Sequence, residues 1–301
     1  MQLSKISIIF EIAKIIFANF LKQSPEMEHK QLIYRNSAVS YYRFGSGPQI
    51  VVCFHGYGEE ANAIEFLGKH AGNQFTFFSI DLPFHGKTSW EDGFSFNSSD
   101  LLQIVEQIIE NDNRKSEIKN RKFSLLGFSL GGRMALSLYQ IIPEKIEKLV
   151  LLAPDGLKEN FWYWLATQTW LGNKFFNLTM NKPGWFFGFL KLLNKLKLVN
   201  TSIFKFVTYY IGDAEVRKLL DARWTTMRKI KPNLSVIKKN ILGNKTPVRL
   251  VYGKHDRIIL SSVGEKFRKG IEEHCTISVI NAGHQVLHEK HVEEIIQALY
   301  Y

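Results

Sequence analysis

The chain has 301 residues, 45% of them apolar and 22% charged, with no internal repeat and no low-complexity tract. That composition supports one large packed domain or two smaller ones and excludes wholesale disorder. The net charge of +11 is regional: residues 157–240 hold 15 Lys and Arg against 4 Asp and Glu, and the remainder carries 24 of each.

Residues 3–22 read as a helix with a broad apolar face and a narrow stripe of Ser7, Glu11, Lys14 and Ala18 opposite it. No small-residue cleavage site follows, which argues against a signal peptide. A transmembrane placement would set Glu11 and Lys14 near mid-bilayer, which is costly. Two readings stay open, a helix packed on the domain and a helix lying in a membrane interface. Pro25 ends it. Ala38–Phe44 reads as an early strand turning at Gly45-Ser46-Gly47-Pro48.

Gln49–Phe54 is a strongly apolar strand running into His55-Gly56-Tyr57-Gly58, and a helical pattern with Ala63, Phe66 and Leu67 follows. Gln74–Ile80 is the next strand, ending in Asp81-Leu82-Pro83-Phe84-His85-Gly86, and Leu101–Ile109 is an apolar helix. Lys122–Phe128 is a buried strand that passes through Gly127-Phe128-Ser129-Leu130-Gly131 into a helix carrying Met134, Ala135, Leu138 and Tyr139. Glu147–Ala153 is a strand closed by Pro154-Asp155-Gly156. After a long insertion come a strand over Pro247–Tyr252 with Gly253-Lys254-His255-Asp256, a helix around Val263–Phe267, a strand over Cys275–Ile280 with Asn281-Ala282-Gly283-His284, and a helix over Glu289–Tyr300. Strands separated by helix-length segments imply right-handed crossovers and an α/β fold with a mostly parallel sheet. Cys53 and Cys275 fall inside these strands. They offer neither metal-ligand spacing nor a disulfide framework, and they read as buried packing in a reducing compartment.

In such sheets reactive groups gather past the carboxyl ends of the strands. A serine on a sharp strand–helix turn holds its hydroxyl clear of the sheet, and flanking glycines let strand and helix approach. The hydroxyl needs a base, and the base needs an orienting acid. Past the later strand ends the chain offers Asp256 and then His284, so the expected set is Ser129 as nucleophile, His284 as general base and Asp256 as its partner. Asp155 is the rival acid. His70, His274, His288 and His291 read as solvated positions, and His55 as a structural residue of its loop. The oxyanion donors are expected from the backbone N–H groups of Leu130 and Tyr57.

The five motifs at residues 55–58, 81–86, 127–132, 253–256 and 283–284 resemble those of the α/β-hydrolase superfamily, over roughly residues 38–156 and 244–299. The resemblance implies an eight-stranded-type sheet flanked by helices, with a helical lid inserted into it, and a serine-dependent hydrolase that uses no cofactor or metal. Phe84 stands where many members have glycine. A serine nucleophile disfavours the aspartate-based branches.

The expected organisation is an amphipathic helix over residues 1–24, a core of residues 25–156 and 241–301, and a helical lid over residues 157–240. The insertion holds five of the six tryptophans, in aromatic clusters at 161–164, 185–189 and 204–210, with Lys191, Lys195 and Lys197 interleaved. Such aromatics line an acyl or aryl pocket, pack the lid, or meet lipid. Its charge suits a solvated face, an anionic membrane surface or an anionic substrate. No nucleic-acid recognition module is visible. The expected activity is hydrolysis of a small lipophilic carboxylic ester, with thioester hydrolysis, acyl transfer and carbon–carbon hydrolysis as alternatives on the same triad. A non-catalytic membrane-associated binder is the alternative of another class. The expected location is cytoplasmic, peripheral on the inner membrane surface.

Overall fold

The computed structural model describes residues 27–112, 122–158, 161–196, 208–209 and 211–301. The N-terminal helix expected over residues 3–22 lies outside them, as do Lys197 and most of the 204–210 aromatic cluster.

In chain order the elements begin with strands β1 (Glu28–Tyr34), β2 (Ser37–Phe44) and β3 (Gln49–Phe54), a 3-10 turn (Ala61–Ile64), helix α1 (Glu65–Ala71) and strand β4 (Phe75–Ile80). Helix α2 (Ser98–Glu110), strand β5 (Phe123–Phe128), helix α3 (Leu130–Ile141) and strand β6 (Ile146–Leu152) follow. The insertion supplies α4 (Phe161–Gln168), α5 (Trp170–Asn181), α6 (Gly184–Lys195), α7 (Ala214–Met227) and α8 (Leu234–Asn244). Strand β7 (Val248–Gly253), helix α9 (Ser261–Arg268), strand β8 (Cys275–Ile280) and helix α10 (Val292–Tyr300) complete the chain.

The eight strands form one sheet in the order β1-β2-β4-β3-β5-β6-β7-β8. Strands β1 and β2 pair antiparallel, as do β2 and β4, and every later pairing is parallel. Strand β3 has β4 on one side and β5 on the other, so the winding direction reverses there. A crevice opens past the carboxyl ends of the strands at such a reversal, and the loop after β3 and the turn after β5 both face it.

Strands β3, β5 and β6 are apolar on both faces because helices cover both. Helices α2 and α3 pack on one another, as do α1 and α10. Strand β1 is an unexpected element. Only Leu32 and Tyr34 of its seven residues are buried, so its apolar signal is confined to one short half of an edge strand. It is tied down by polar contacts: the Tyr34 hydroxyl and Arg35 Nη2 both donate to Asp100 Oδ1, at 2.8 and 2.6 Å. Asp100 also closes a capping box with Asn97 at the start of α2.

The insertion forms helices, with Trp224 of α7 at its centre, edge-on to Tyr163 of α4 and stacked on Phe176 of α5. The boundary expected at residue 240 falls inside α8. That helix starts before the expected end of the lid because Asn233 caps it, accepting from the N–H groups of Ser235 and Val236. Its Ile237 and Ile241 belong to the main core together with Met227 and Ile230, so the sheet-bound structure reaches back into the expected lid segment. Cys53 and Cys275 are both buried free thiols. Among the described residues no helix is long and apolar enough to cross a membrane.

Candidate active site

The turn between β5 and α3 is built by steric exclusion. Ser129 sits at φ 48, ψ −113, a conformation that a residue with a side chain adopts only under constraint. The constraint is a set of backbone bonds. Ser129 N–H donates to Leu152 O at 3.0 Å, and its carbonyl accepts from the N–H groups of Gly132 and Asp155 at 2.9 and 2.8 Å. Strand and helix meet so closely that a Cβ on Gly131 would stand 2.0 Å from Phe54 O, and one on Gly127 would stand 2.4 Å from Gly131 O. Glycine is therefore required at both positions.

The three expected catalytic residues, which lie far apart in the chain, come together. His284 Nε2 is 3.0 Å from Ser129 Oγ, and His284 Nδ1 is 2.8 Å from Asp256 Oδ2. Asp256 is sealed from solvent, and its Oδ1 accepts the N–H groups of Ile258 and Ile259 at 2.7 and 3.0 Å. One carboxylate oxygen is thus held by backbone and the other is left to the imidazole. That arrangement puts the imidazole proton on Nδ1 and turns the lone pair of Nε2 toward the serine. Phe128 packs against the imidazole at 5.4 Å between ring centres.

The rival acid is engaged elsewhere. Asp155 is ion-paired with Arg133 of α3, and its Oδ1 accepts from Gly156 N–H at 2.7 Å. Burial works against the Arg133 charge, and Asp155 and Tyr163 beside it more than offset that, so its pKa is raised. The guanidinium carbon lies 4.4 Å from the centre of the Tyr163 ring. Arg133 therefore joins the helix after the serine turn to the first helix of the insertion.

Leu130 is the first residue of α3, so its N–H has no acceptor within the helix. Tyr57 lies in the loop after β3, half-buried and packed on the core. His55 is fully buried with both ring nitrogens occupied: Nδ1 lies 2.7 Å from Gly56 O, and Nε2 accepts from Leu82 N–H at 3.1 Å. It has no lone pair left for a substrate. Asp81, for which the sequence suggests no task, organises the neighbouring loop. It accepts from Ala61 N–H, Lys87 N–H and the Ser40 hydroxyl, and the space beside it admits nothing larger than Gly86. Of the histidines expected to be solvated, His70 and His288 are exposed, but His291 is 7% exposed because it ends a 3-10 turn folded against the core.

A family model described as serine aminopeptidase, S33 (Hydrolase_4) matches residues 46–291. The chain belongs to that family of α/β hydrolases. It is 24% identical over 263 residues to a protein described as uncharacterized hydrolase YugF of Bacillus subtilis (strain 168), covering 83% of this chain and 89% of that one. It is 28% identical over 137 residues to the pimeloyl-[acyl-carrier protein] methyl ester esterase of Aeromonas salmonicida (strain A449), which covers 45% of this chain and 50% of the esterase. Among solved structures, the thioesterase domain from the curacin biosynthetic pathway superposes with a TM-score of 0.60 at 16% identity, covering 91% of this chain and 99% of that one. The eight-stranded sheet flanked by helices is the α/β-hydrolase fold.

The hydrolase carries two neutral imidazoles beneath this site. Burial holds the pKa of His55 below its ordinary value, and burial, with His55 and Arg223 nearby, pushes that of His85 down to about 2. An unfolded chain takes up a proton on each near about pH 6.5 and the native state does not, so stability falls as pH drops below that value. The slope is about 1.4 kcal/mol per pH unit for each group. Urea midpoints measured at about pH 7.5 and about pH 5.5 should therefore differ by about 2–3 kcal/mol in stability, and His85→Gln should remove about half of that difference. Equal midpoints at the two pH values would contradict it. Among the described residues no group of three or more His, Cys, Asp or Glu could hold a metal ion.

Proposed function

We propose that the protein is a serine-dependent carboxylic ester hydrolase acting on a lipophilic acyl or aryl ester through an acyl-enzyme. The observation that carries this reading is the unbroken line of hydrogen bonds from Asp256 through His284 to the strained Ser129. In this reading Ser129 Oγ attacks the ester carbonyl and its proton passes to His284 Nε2. Asp256 Oδ2 stabilises the imidazolium, and the N–H groups of Leu130 and Tyr57 receive the charge that develops on the carbonyl oxygen. Collapse of the tetrahedral intermediate sends the proton from His284 to the departing alcohol. Water then repeats the sequence on the acyl group and restores Ser129. No cofactor enters these steps.

Helices α4 to α7 serve in this reading as the lid, with the Trp224 cluster as its packing core. The similarity to an ester-cleaving relative supports the ester class. Thioester hydrolysis, acyl transfer and carbon–carbon hydrolysis use the same three side chains. A binder would have no use for the whole set. Hydrolysis of p-nitrophenyl esters from acetate to palmitate tests the proposal and sizes the acyl pocket. Absence of turnover across the whole series would defeat the ester reading.

A second part of the proposal concerns location, at the inner surface of a membrane. Helices α5 and α6 leave Trp170, Leu171, Phe189 and Leu192 more than half exposed, with Lys174 and Lys191 among them. Exposed aromatic and basic side chains of this kind suit a peripheral contact with an anionic bilayer. Trp170→Ala with Phe189→Ala should reduce co-sedimentation with phosphatidylserine-containing vesicles at unchanged ester hydrolysis. Equal sedimentation with neutral vesicles would remove the electrostatic part.

A further inference from the structure

We infer that Arg223 forms a binding site for a carboxylate carried by the substrate at a distance from the reacting carbonyl. The natural substrate class is then a monoester of a dicarboxylic acid, or an equivalent ester with a free acid group. This rests on the ester-hydrolase reading and adds to it.

Arg223 comes from α7 of the insertion, yet it reaches the loops of the core. Its Nε–H donates to Phe84 O at 2.9 Å, and its guanidinium carbon lies 5.3 Å from the centre of the Tyr57 ring. Its Nη1 lies 3.9 Å from where a Cβ on Gly58 would stand, at ordinary contact distance. The guanidinium therefore lies over the loop that supplies the proposed oxyanion donor. Its orientation is fixed from below by a carbonyl and a ring, and neither occupies the two Nη groups.

Those Nη groups have no hydrogen-bond acceptor, and no carboxylate stands within ion-pair distance of them, among the described residues. Two other arginines of this region are satisfied. Arg133 is paired with Asp155, and Arg217 of the same helix donates to Met180 O and Ile211 O. A half-buried guanidinium without a counter-charge is unfavourable in a merely structural role. Its fork of Nη donors matches the geometry of a carboxylate, which can take both at once.

The local backbone is arranged for the same end. Phe84 has φ 62, a left-handed conformation that glycine would accept without strain. Its ring is engaged with Phe94 at 6.1 Å, and its carbonyl is the one that holds Arg223. The departure from glycine at residue 84 thus coincides with the residue that aims the guanidinium.

The test uses two p-nitrophenyl esters of equal length, the neutral hexanoate and the adipate monoester with its free carboxylate. Arg223→Gln should raise KM for the adipate monoester by about 10- to 100-fold, with kcat and the hexanoate reaction changed less than about twofold. Arg223→Lys should recover part of the loss. An equal effect on both esters would show that Arg223 only latches the insertion to the core and would overturn the proposal, as would no effect on either. Calorimetry separates this from the fate of the ester reading. Adipate should bind Ser129→Ala protein more tightly than hexanamide, and adding Arg223→Gln should remove that advantage at an unchanged melting temperature. Failure of adipate to bind overturns the site even if esters are hydrolysed. Binding without any turnover leaves the site standing and defeats only the ester reading.

Discussion

Ser129→Ala is expected to lower kcat for ester hydrolysis by about 10⁴-fold or more and to leave KM nearly unchanged. The hydroxyl is the only atom removed. The strained backbone at φ 48 is retained, because it is imposed by the bonds to Leu152, Gly132 and Asp155 and not by the side chain. The Cβ also remains, so the close passage of strand and helix at Gly127 and Gly131 is undisturbed. The melting temperature should therefore stay within a degree or two of the parent, about the change expected for a loss below 1 kcal/mol. Residual turnover above about a tenth of the parent rate would be too much for the oxyanion site alone, and would place the nucleophile elsewhere.

Asp256→Asn should be nearly as severe, a loss of about 10³- to 10⁴-fold in kcat at neutral pH. The reason lies in how the carboxylate is divided. Oδ1 receives two backbone N–H groups and Oδ2 faces His284 Nδ1. Asparagine must keep its oxygen toward the two backbone donors and turn its NH₂ toward the imidazole. An NH₂ there requires Nδ1 to accept, which moves the ring proton to Nε2, and that nitrogen can then no longer take a proton from Ser129. Asp155→Asn provides the control. It weakens the pair with buried Arg133, so its cost should appear in the urea midpoint and not in the pH profile of kcat. A pH profile altered by Asp155→Asn and not by Asp256→Asn would exchange the two assignments.

The parallel part of the fold was legible because strands such as Gln49–Phe54 and Cys275–Ile280 are bounded by sharp polar turns and have the length and composition of strands. Strand β1 was not, since Glu28, His29 and Lys30 hide a pattern that buries only alternate residues at its far end. The serine, aspartate and histidine could be picked from their positions after strands and their order in the chain. What could not be read was anything that depends on contact across the insertion. Arg223 lies in a helix of ordinary composition, and its approach to Phe84 and Tyr57 spans more than a hundred residues of chain. Likewise, the membership of α8 in the core depends on which face of α3 it meets, which local periodicity does not encode.

The insertion leaves the sheet after Leu152 and returns at Val248, on two strands that lie side by side with Leu149 opposite Val248. Its two ends are thus held at fixed places on adjacent parallel strands, at opposite ends of those strands, whatever lies between. Closing a loop costs only about 0.6 kcal/mol more for each doubling of its length, so the scaffold is nearly indifferent to how much chain is spliced in there. The stretch from Met227 through helix α8 is the exception, since Met227, Ile230 and the buried isoleucines of α8 belong to the core. Segments between residue 158 and Met227 are accordingly the part of this chain that recombination could exchange as a cassette, leaving Ser129, His284 and Asp256 in place.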